Sequence, residues 1–273
     1  MAMPRVQASP WAASRRRAEN LRERHDFAAG PLTLYIGLIE VWENAWEAAR
    51  ARQPDDLTGW AAQHVLPDVV AATAKSGPVV LAESLATADL GAAAELLTAW
   101  LAGAELVPVE RYLARATLRG PLAAVDAGAA CAGDPAPRGD RRCPDCGGPP
   151  QLSFRSDTGD RLVSGHRQLQ CARCASSWSF SASACAHCGA TEGRTIYSER
   201  GDGPQVGRSE NGHATFPHLR VEACSGCRRY LVDVDLGRDP RAVPEVDELA
   251  ALPLDLYAAE QGFSKITPNL MGW

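Results

Sequence analysis

Residues 171–189 read CARCASSWSFSASACAHCG and place two Cys-x-x-Cys pairs, Cys171/Cys174 and Cys185/Cys188, only ten residues apart. A Cys-x-x-Cys turn directs two thiolates at one metal ion, and a closed tetrahedral site needs four. The two pairs therefore either bind one ion together, or each of them completes a different site with cysteines elsewhere in the chain.

Two further pairs, Cys143/Cys146 and Cys224/Cys227, flank this stretch, so eight of the nine cysteines have metal-ligand spacing. The sequences CPDCGG and CAHCGA each lead into a strand-like run, a polar turn and a second run that ends at another pair, which indicates an internal repeat. Sequential pairing, in which the first Cys-x-x-Cys pair shares an ion with the second and the third with the fourth, is favoured. Nested and crossed pairings stay open. The predicted ligands are, for the first site, Cys143, Cys146, Cys171 and Cys174, and for the second, Cys185, Cys188, Cys224 and Cys227.

A pair, a hairpin and a second pair are typical of a zinc ribbon or rubredoxin-like unit. The short runs QLSF, HRQLQ, SSWSF, RTIY, HLRVEA and RYLVDVDL supply the strands, with polar turns SDTGD and GDGPQVGRSENG inside the hairpins. We therefore expect two tandem metal-binding modules, over residues 143–180 and 181–237. Both zinc and iron suit four thiolates, so two metal ions of either kind are the expected cofactors.

The N-terminal half is rich in Ala, Leu and Glu and predicts an all-α domain over residues 1–127. Ser9-Pro10 suggests a helix start, and Gly77, Gly103 and Gly120 suggest stops, each with a proline soon after. One apolar stripe indicates the core helix; it contains Leu32, Tyr35, Ile36, Ile39, Trp42 and Trp46. Residues 128–142 read as a linker rich in Gly and Pro, and residues 238–273 as a C-terminal helix and tail. The expected class is α+β.

Composition limits the functions that this chain can have. A net charge of -5 argues against a protein that mainly binds nucleic acid, and the chain has no apolar run of about 18 residues that could insert in a membrane. Four-thiolate sites have no open coordination position, which argues against metal-assisted hydrolysis. The ninth cysteine, Cys131, is expected to be a small buried thiol or a thiol in the linker.

The chain resembles the formate dehydrogenase accessory protein family, FdhE. The resemblance rests on the helical start RRRAENLRERHDFAAGPLTLYIGLIE, on CPDCGGPP, LQCARCASSW, CAHCG and VEACSGCRRYLVDVD in this order, and on the closing DELAALPLDLYAAEQGFSKITPNLMG. Carried over by position, the eight paired cysteines are metal ligands, and Asp255, Glu260, Gly262 and Phe263 match the C-terminal motif. That motif also predicts an amphipathic helix, with Leu249, Leu252 and Leu256 on its apolar face, ending at Gly262.

The resemblance implies a cytoplasmic assembly factor with no catalytic residues, rather than an enzyme. Its partner would be the catalytic subunit of a molybdenum- or tungsten-dependent formate dehydrogenase, and a homodimer is compatible with the sequence. Two alternatives belong to other classes: a nucleic-acid-binding zinc-ribbon protein and a rubredoxin-like electron carrier. Binding to DNA or RNA that depends on salt would favour the first, and reversible red ferric-thiolate absorption the second.

Overall fold

The computed structural model describes residues 9–87, 90–131, 139–156, 166–199 and 215–272. Residues 132–138 of the predicted linker and most of the two hairpin turns lie outside these ranges. Within them, an N-terminal helical layer packs on a mixed β-sheet, and two helices follow the sheet. The α+β class is therefore confirmed.

The helical layer is built around the long helix α2. The helices of this layer are α1 (Ala12–Arg24), α2 (Ala29–Arg52), α3 (Leu57–His64), α4 (Leu66–Ser76), α5 (Val79–Ala86), α6 (Ala93–Ala102), α7 (Pro108–Ala124) and α8 (Ala127–Ala130), with a 3-10 turn at Asp26–Ala28. Leu32, Tyr35, Ile39 and Trp42 of the predicted stripe are buried, as an amphipathic helix requires. The Trp42 indole N–H donates a hydrogen bond of 2.7 Å to the carbonyl of Ala116 on α7.

Two predicted helix boundaries were wrong. Helix α1 begins at Ala12, because Ser9 closes a preceding turn by accepting a hydrogen bond from the Trp11 N–H at 3.1 Å. Helix α7 continues through Gly120 and Pro121 to Ala124. Glycine is required at position 120 because α2 packs closely there: a β-carbon would lie 2.6 Å from the Trp42 carbonyl oxygen. The predicted stops at Gly77 and Gly103 end α4 and α6.

The strands of both predicted modules belong to one sheet. They are β1 (Pro150–Ser156), β2 (His166–Cys171), β3 (Ser177–Ser179), β4 (Arg194–Tyr197), β5 (Leu219–Cys224), β6 (Arg229–Asp235) and β7 (Ser264–Lys265). The order is β3-β2-β1-β6-β5-β4, and β7 pairs with β6. Each module forms an antiparallel ribbon, and a parallel pairing of β1 with β6 joins the two ribbons.

The C-terminal segment forms two helices where the sequence predicted one. Helix α9 (Pro244–Ala250) and helix α10 (Leu252–Glu260) are separated at Ala251. Pro253 lies in the first turn of α10, where a proline is tolerated, but it could not continue α9 because it has no N–H to donate. Leu256 of the predicted apolar face is 48% exposed, so that face is limited to Leu249 and a half-buried Leu252.

Buried ion pairs join the helical layer to the rest of the chain. Arg17 of α1 forms a double hydrogen bond to the Asp247 carboxylate of α9, with its Nε lying 3.0 and 3.1 Å from the two oxygens. Glu245 of α9 accepts hydrogen bonds from the Tyr35 hydroxyl and from Arg119, both at 2.6 Å. These contacts connect α1, α2 and α7 of the helical layer to α9, which in turn packs against β1 and β6.

Candidate metal centres and the cleft between them

The four Cys-x-x-Cys turns share one backbone geometry. In each turn the residue after the second cysteine has a positive φ, and its N–H donates to the carbonyl of the first cysteine at 2.8–3.1 Å. These residues are Gly147 (φ 71°), Ala175 (φ 60°), Gly189 (φ 82°) and Arg228 (φ 57°). The glycines of CPDCGG and CAHCGA suit this conformation, whereas Ala175 and Arg228 adopt it at a steric cost.

The turns bring the eight predicted ligand sulfurs together in two groups. Cys143, Cys146, Cys171 and Cys174 form the first, Cys185, Cys188, Cys224 and Cys227 form the second, and within each group the ligand atoms lie within 4.8 Å of one another. The grouping follows the sequential order of the pairs along the chain. The stretch at 171–189 therefore contributes one pair to each group.

The sulfur spacing fits a tetrahedral metal ion. A metal–sulfur bond of about 2.3 Å implies sulfur–sulfur separations of about 3.8 Å in a regular tetrahedron. The observed separations are 3.6 Å for Cys143–Cys174 and 3.4 Å for Cys146–Cys171. In the second group, Cys185–Cys227 and Cys188–Cys224 are both 3.8 Å. All eight cysteines are free rather than disulfide-bonded, so the two groups can hold two metal ions.

Backbone N–H groups stabilise thiolates in both groups. In the first, Gly148 N–H donates to Cys146 Sγ at 3.4 Å, and Arg173 N–H donates to Cys171 Sγ at 3.3 Å. In the second, burial raises the pKa of Cys224, but the N–H groups of Cys227 and Gly226 outweigh it and the pKa falls to about 7. The thiolate is the form that binds a metal, so the lowered pKa of Cys224 favours binding at that residue, whereas burial raises the pKa of Cys171 in the first group.

The two groups differ in their access to solvent. All four cysteines of the first group are buried, and Gly148 has no room for a side chain because a β-carbon would lie 2.7 Å from Cys171 Sγ. In the second group Cys188 is exposed and Cys227 is half-buried. An ion in the first group would be sealed inside the protein, whereas one in the second could be reached from the surface.

Cys131 lies beside the first group, a position that the sequence analysis did not predict. Its side chain is 3% exposed, and a hydrogen bond with Cys146 lowers the pKa of the Cys131 thiol. The burial of the Cys131 side chain fits the prediction of a small buried thiol. Its closeness to Cys146 depends on tertiary packing of α8 and has no signal in the spacing of the cysteines.

The C-terminal motif residues hold the tail against the sheet. Asp255 is buried and accepts hydrogen bonds from the Tyr230 hydroxyl at 2.9 Å and the Lys265 ammonium at 3.0 Å. Gly262 ends α10 in a left-handed conformation with φ 75°. Phe263 is buried under the Arg228 guanidinium, whereas Glu260 is exposed. These contacts give the motif a structural role.

A cleft of about 1150 Å³ runs between the two cysteine groups. The end of α6 and the start of α7 form one wall, the cysteine turns form the floor, and α10 with the tail after it forms the other wall. Cys146 of the first group and His187, inside a turn of the second, both line it. The cleft is therefore the place where the helical layer, both ribbons and the C-terminal segment meet.

Positive charge dominates the described lining of the cleft. Its cations are Arg111, Arg141, Arg142, Arg173, Arg229 and Lys265, and its carboxylates are Glu105 and Asp255. Burial lowers the pKa of His187, and the positive charges of Arg229, Arg141 and Arg142 lower it further. The Arg141 guanidinium donates to the His187 carbonyl at 2.6 Å, which links the loop before the first group to a turn of the second.

Comparison with known proteins identifies the relatives of this fold. Residues 183–271, which contain all four cysteines of the second group, match the family described as FdhE, C-terminal domain. This part of the chain is therefore similar to the C-terminal domain of FdhE proteins. Its sequence is 34% identical over 131 residues to the Protein FdhE homolog of Aquifex aeolicus, covering 48% of this chain and 41% of that protein. It is 33% identical over 129 residues to the homolog of Pseudomonas aeruginosa, covering 47% and 38%.

The chain thus matches about two fifths of the length of these FdhE relatives. The likeness in fold is wider. The crystal structure of the FdhE protein from Pseudomonas aeruginosa aligns with a TM-score of 0.62 at 22% identity, covering 96% of this chain and 95% of the other. The helical layer, the joined ribbons and the C-terminal helices therefore form a fold found in an FdhE protein. None of the described helices combines the length and the apolar character that a membrane crossing needs.

Proposed function

We propose that this chain is an accessory protein for the maturation of a formate dehydrogenase. The observation that carries the proposal is the match of residues 183–271 to the FdhE C-terminal domain, with a four-cysteine group inside the matched region. The partner is the catalytic subunit of a molybdenum- or tungsten-dependent formate dehydrogenase, and the encounter takes place in the cytoplasm. The chain acts by binding this subunit and does not itself catalyse a reaction.

Each four-cysteine group holds one metal ion, iron or zinc, in this proposal. Cys143, Cys146, Cys171 and Cys174 bind the first ion, and Cys185, Cys188, Cys224 and Cys227 bind the second. Such an ion cross-links the two turns of a ribbon, and four sulfurs leave it no open position for a substrate. The turns themselves orient the sulfurs through their N–H groups, and the helical layer excludes water from the first group.

Metal analysis tests the ligand assignment directly. Protein purified without oxygen is expected to contain two equivalents of iron or zinc, and Cys143→Ser or Cys224→Ser should each reduce the content by one. The matched control is Cys131→Ser, which removes a buried thiol outside both groups and should leave two equivalents. Fewer than two equivalents in the parent protein would contradict the assignment.

Capture and complementation test the role. The tagged chain should co-purify with the formate dehydrogenase catalytic subunit, and deletion of its gene should reduce formate oxidation. Complementation with the parent chain should restore the activity, and complementation with Cys224→Ser should not. Unchanged formate oxidation in the deletion strain, together with no captured subunit, would refute the proposed function.

An electron-carrier role is the second candidate, and the exposure of Cys188 favours it, since a metal site that transfers electrons needs access to its partner. Iron in the second group would then give reversible red ferric-thiolate absorption. A colourless protein with two equivalents of zinc would exclude this role while leaving the accessory function in place.

A further inference from the structure

The arginine-lined cleft between the two cysteine groups has no assigned role in the function proposed above. Three of its arginines are held by the protein itself. Arg141 donates to the His187 carbonyl at 2.6 Å, Arg173 to the Cys146 carbonyl at 2.9 Å, and Arg229 to the Lys265 carbonyl at 3.2 Å. A backbone carbonyl carries no net charge, so these three guanidinium groups keep their full positive charge.

Two further arginines, Arg111 on α7 and Arg142 beside Cys143, lack even such a partner among the described residues. None of the five arginines of the cleft has a described carboxylate oxygen within 4.0 Å. The carboxylate of Asp255 is already bound to Lys265. Elsewhere in the fold the arrangement is different: Arg155, Arg167 and Arg220 of the sheet, which are buried or half-buried, pair with Glu222 and Asp233. Guanidinium groups without a described carboxylate partner, on one wall and on the floor of the cleft, therefore fit an anionic ligand.

We propose that this cleft binds an acidic segment of a partner protein, a short stretch rich in Asp and Glu. This inference rests on the proposed function, in which the partner is the formate dehydrogenase catalytic subunit. Each carboxylate of such a segment can accept two parallel hydrogen bonds from one guanidinium group. The segment lies across the cleft, with Arg111 on one wall and Arg142 on the floor as its two main contacts.

The size and the charge distribution of the molecule favour a peptide over other anions. At about 1150 Å³ the cleft is larger than the roughly 300–1000 Å³ that a small-molecule site occupies, so several residues of an extended chain fit in it. The net charge of -5 opposes the approach of a long polyanion such as nucleic acid, which contacts much more of a surface than one cleft. A short acidic segment meets only the local positive charge.

Titration of the full, metal-loaded chain with labelled peptides tests the site. The probe is a fluorescein-labelled ten-residue peptide of alternating Glu and Gly, and the control peptide has Gln in place of Glu. We expect saturable binding of the acidic peptide alone, weakening with added salt as screened charges require. The double variant Arg111→Gln/Arg142→Gln should raise the dissociation constant at least tenfold. The double variant Arg24→Gln/Arg52→Gln, which removes the same charge from exposed positions on α1 and α2, should change it less than twofold.

Three results would overturn the inference: no saturable binding, equal binding of the Gln peptide, or equal weakening by both double variants. Inorganic pyrophosphate that binds the cleft more tightly than the acidic peptide would also overturn it, in favour of a phosphate-containing ligand.

The same variants then enter the capture experiment. If the parent and the Arg24/Arg52 variant capture the catalytic subunit and the Arg111/Arg142 variant does not, the cleft is the docking site. If all three capture it, the inference fails and the accessory function stands. If the parent captures nothing and the deletion strain oxidises formate normally, the proposed function fails, and the peptide titration still decides whether the cleft binds acidic segments.

Discussion

Replacing Asp247 by Asn should weaken the packing of the helical layer on α9 and, through α9, on the sheet. The Asp247 side chain is fully buried and accepts hydrogen bonds from Arg17 and, at 2.8 Å, from the Val243 N–H. The His218 Nε2 atom also lies 2.7 Å from its Oδ1. Asn fills the same volume but carries no charge, so Arg17 would stay buried with one of its two counter-charges missing.

The magnitude follows from what is left beside Arg17. Removing one partner of a buried ion pair costs about 3–5 kcal/mol. Asp239, whose carboxylate lies 3.0 Å from the Arg17 guanidinium, remains and places the expected loss near the lower limit, at about 3 kcal/mol. Asp239→Asn is the matched control: its side chain is 17% exposed and Asp247 stays in place, so we expect a loss of about 1 kcal/mol.

Urea unfolding of the metal-loaded protein measures both changes, with metal content determined for each variant so that loss of an ion is not mistaken for loss of the ion pair. A double-mutant cycle with Arg17→Met then isolates the coupling between the two side chains. Equal losses for the two Asn variants, or a loss below 1 kcal/mol for Asp247→Asn, would refute the idea that this pair holds the layer on the sheet.

Three further predictions concern local features of the fold. Ala175→Gly should stabilise the protein by roughly 0.5–1 kcal/mol. Glycine removes the steric cost of the left-handed backbone at Ala175, about 1–2 kcal/mol, and this gain exceeds the cost of a more flexible unfolded chain, about 0.4–1 kcal/mol. An unchanged free energy of unfolding in urea would contradict this. Gly120→Ala should destabilise it by roughly 1–3 kcal/mol, because the β-carbon would meet the Trp42 carbonyl, and a neutral effect in thermal unfolding would show that α2 and α7 can separate there. Burial, and then the charges of Arg24 and Arg17, lower the pKa of His25 below 6.5. The folded protein therefore favours the neutral imidazole, so the contribution of His25 to stability is complete above pH 6.5 and is lost as the pH falls through the lowered pKa. His25→Gln should therefore flatten the fall of the unfolding free energy below pH 6.5, and an unchanged slope would count against it.

The sequence predicted the local units because their signals are local. Four Cys-x-x-Cys turns define the sulfur positions within a few residues each, and alternating runs between them indicate the hairpins. The long stripe on α2 is of the same kind, since 3.6-residue periodicity reports the buried face of a helix directly. The class of the fold and the place of each ribbon in the chain follow from these patterns alone.

Features that depend on distant contacts were missed for the same reason. The parallel pairing of β1 with β6 joins Phe154 to Val234, and nothing in either strand indicates the other. Gly120-Pro121 is a common helix stop, but here close packing of α2 requires the glycine and α7 continues past both residues. The cleft also has no signal in the sequence, because its arginines come from segments as far apart as Arg111 and Arg229.

The joined sheet implies that the two ribbons stabilise each other. Glu222 on β5 of the second ribbon is buried and forms ion pairs at 2.6 Å with Arg155 on β1 and Arg167 on β2 of the first. Loss of order in the first ribbon would therefore leave Glu222 with fewer counter-charges in a place that water cannot reach, which is costly. Any ion that orders the turns of one ribbon consequently stabilises the strands leading to the other. The cleft between the centres keeps its shape only while both ribbons are ordered. A partner that binds in the cleft would therefore bind the protein with both metal ions in preference to a protein that lacks one of them.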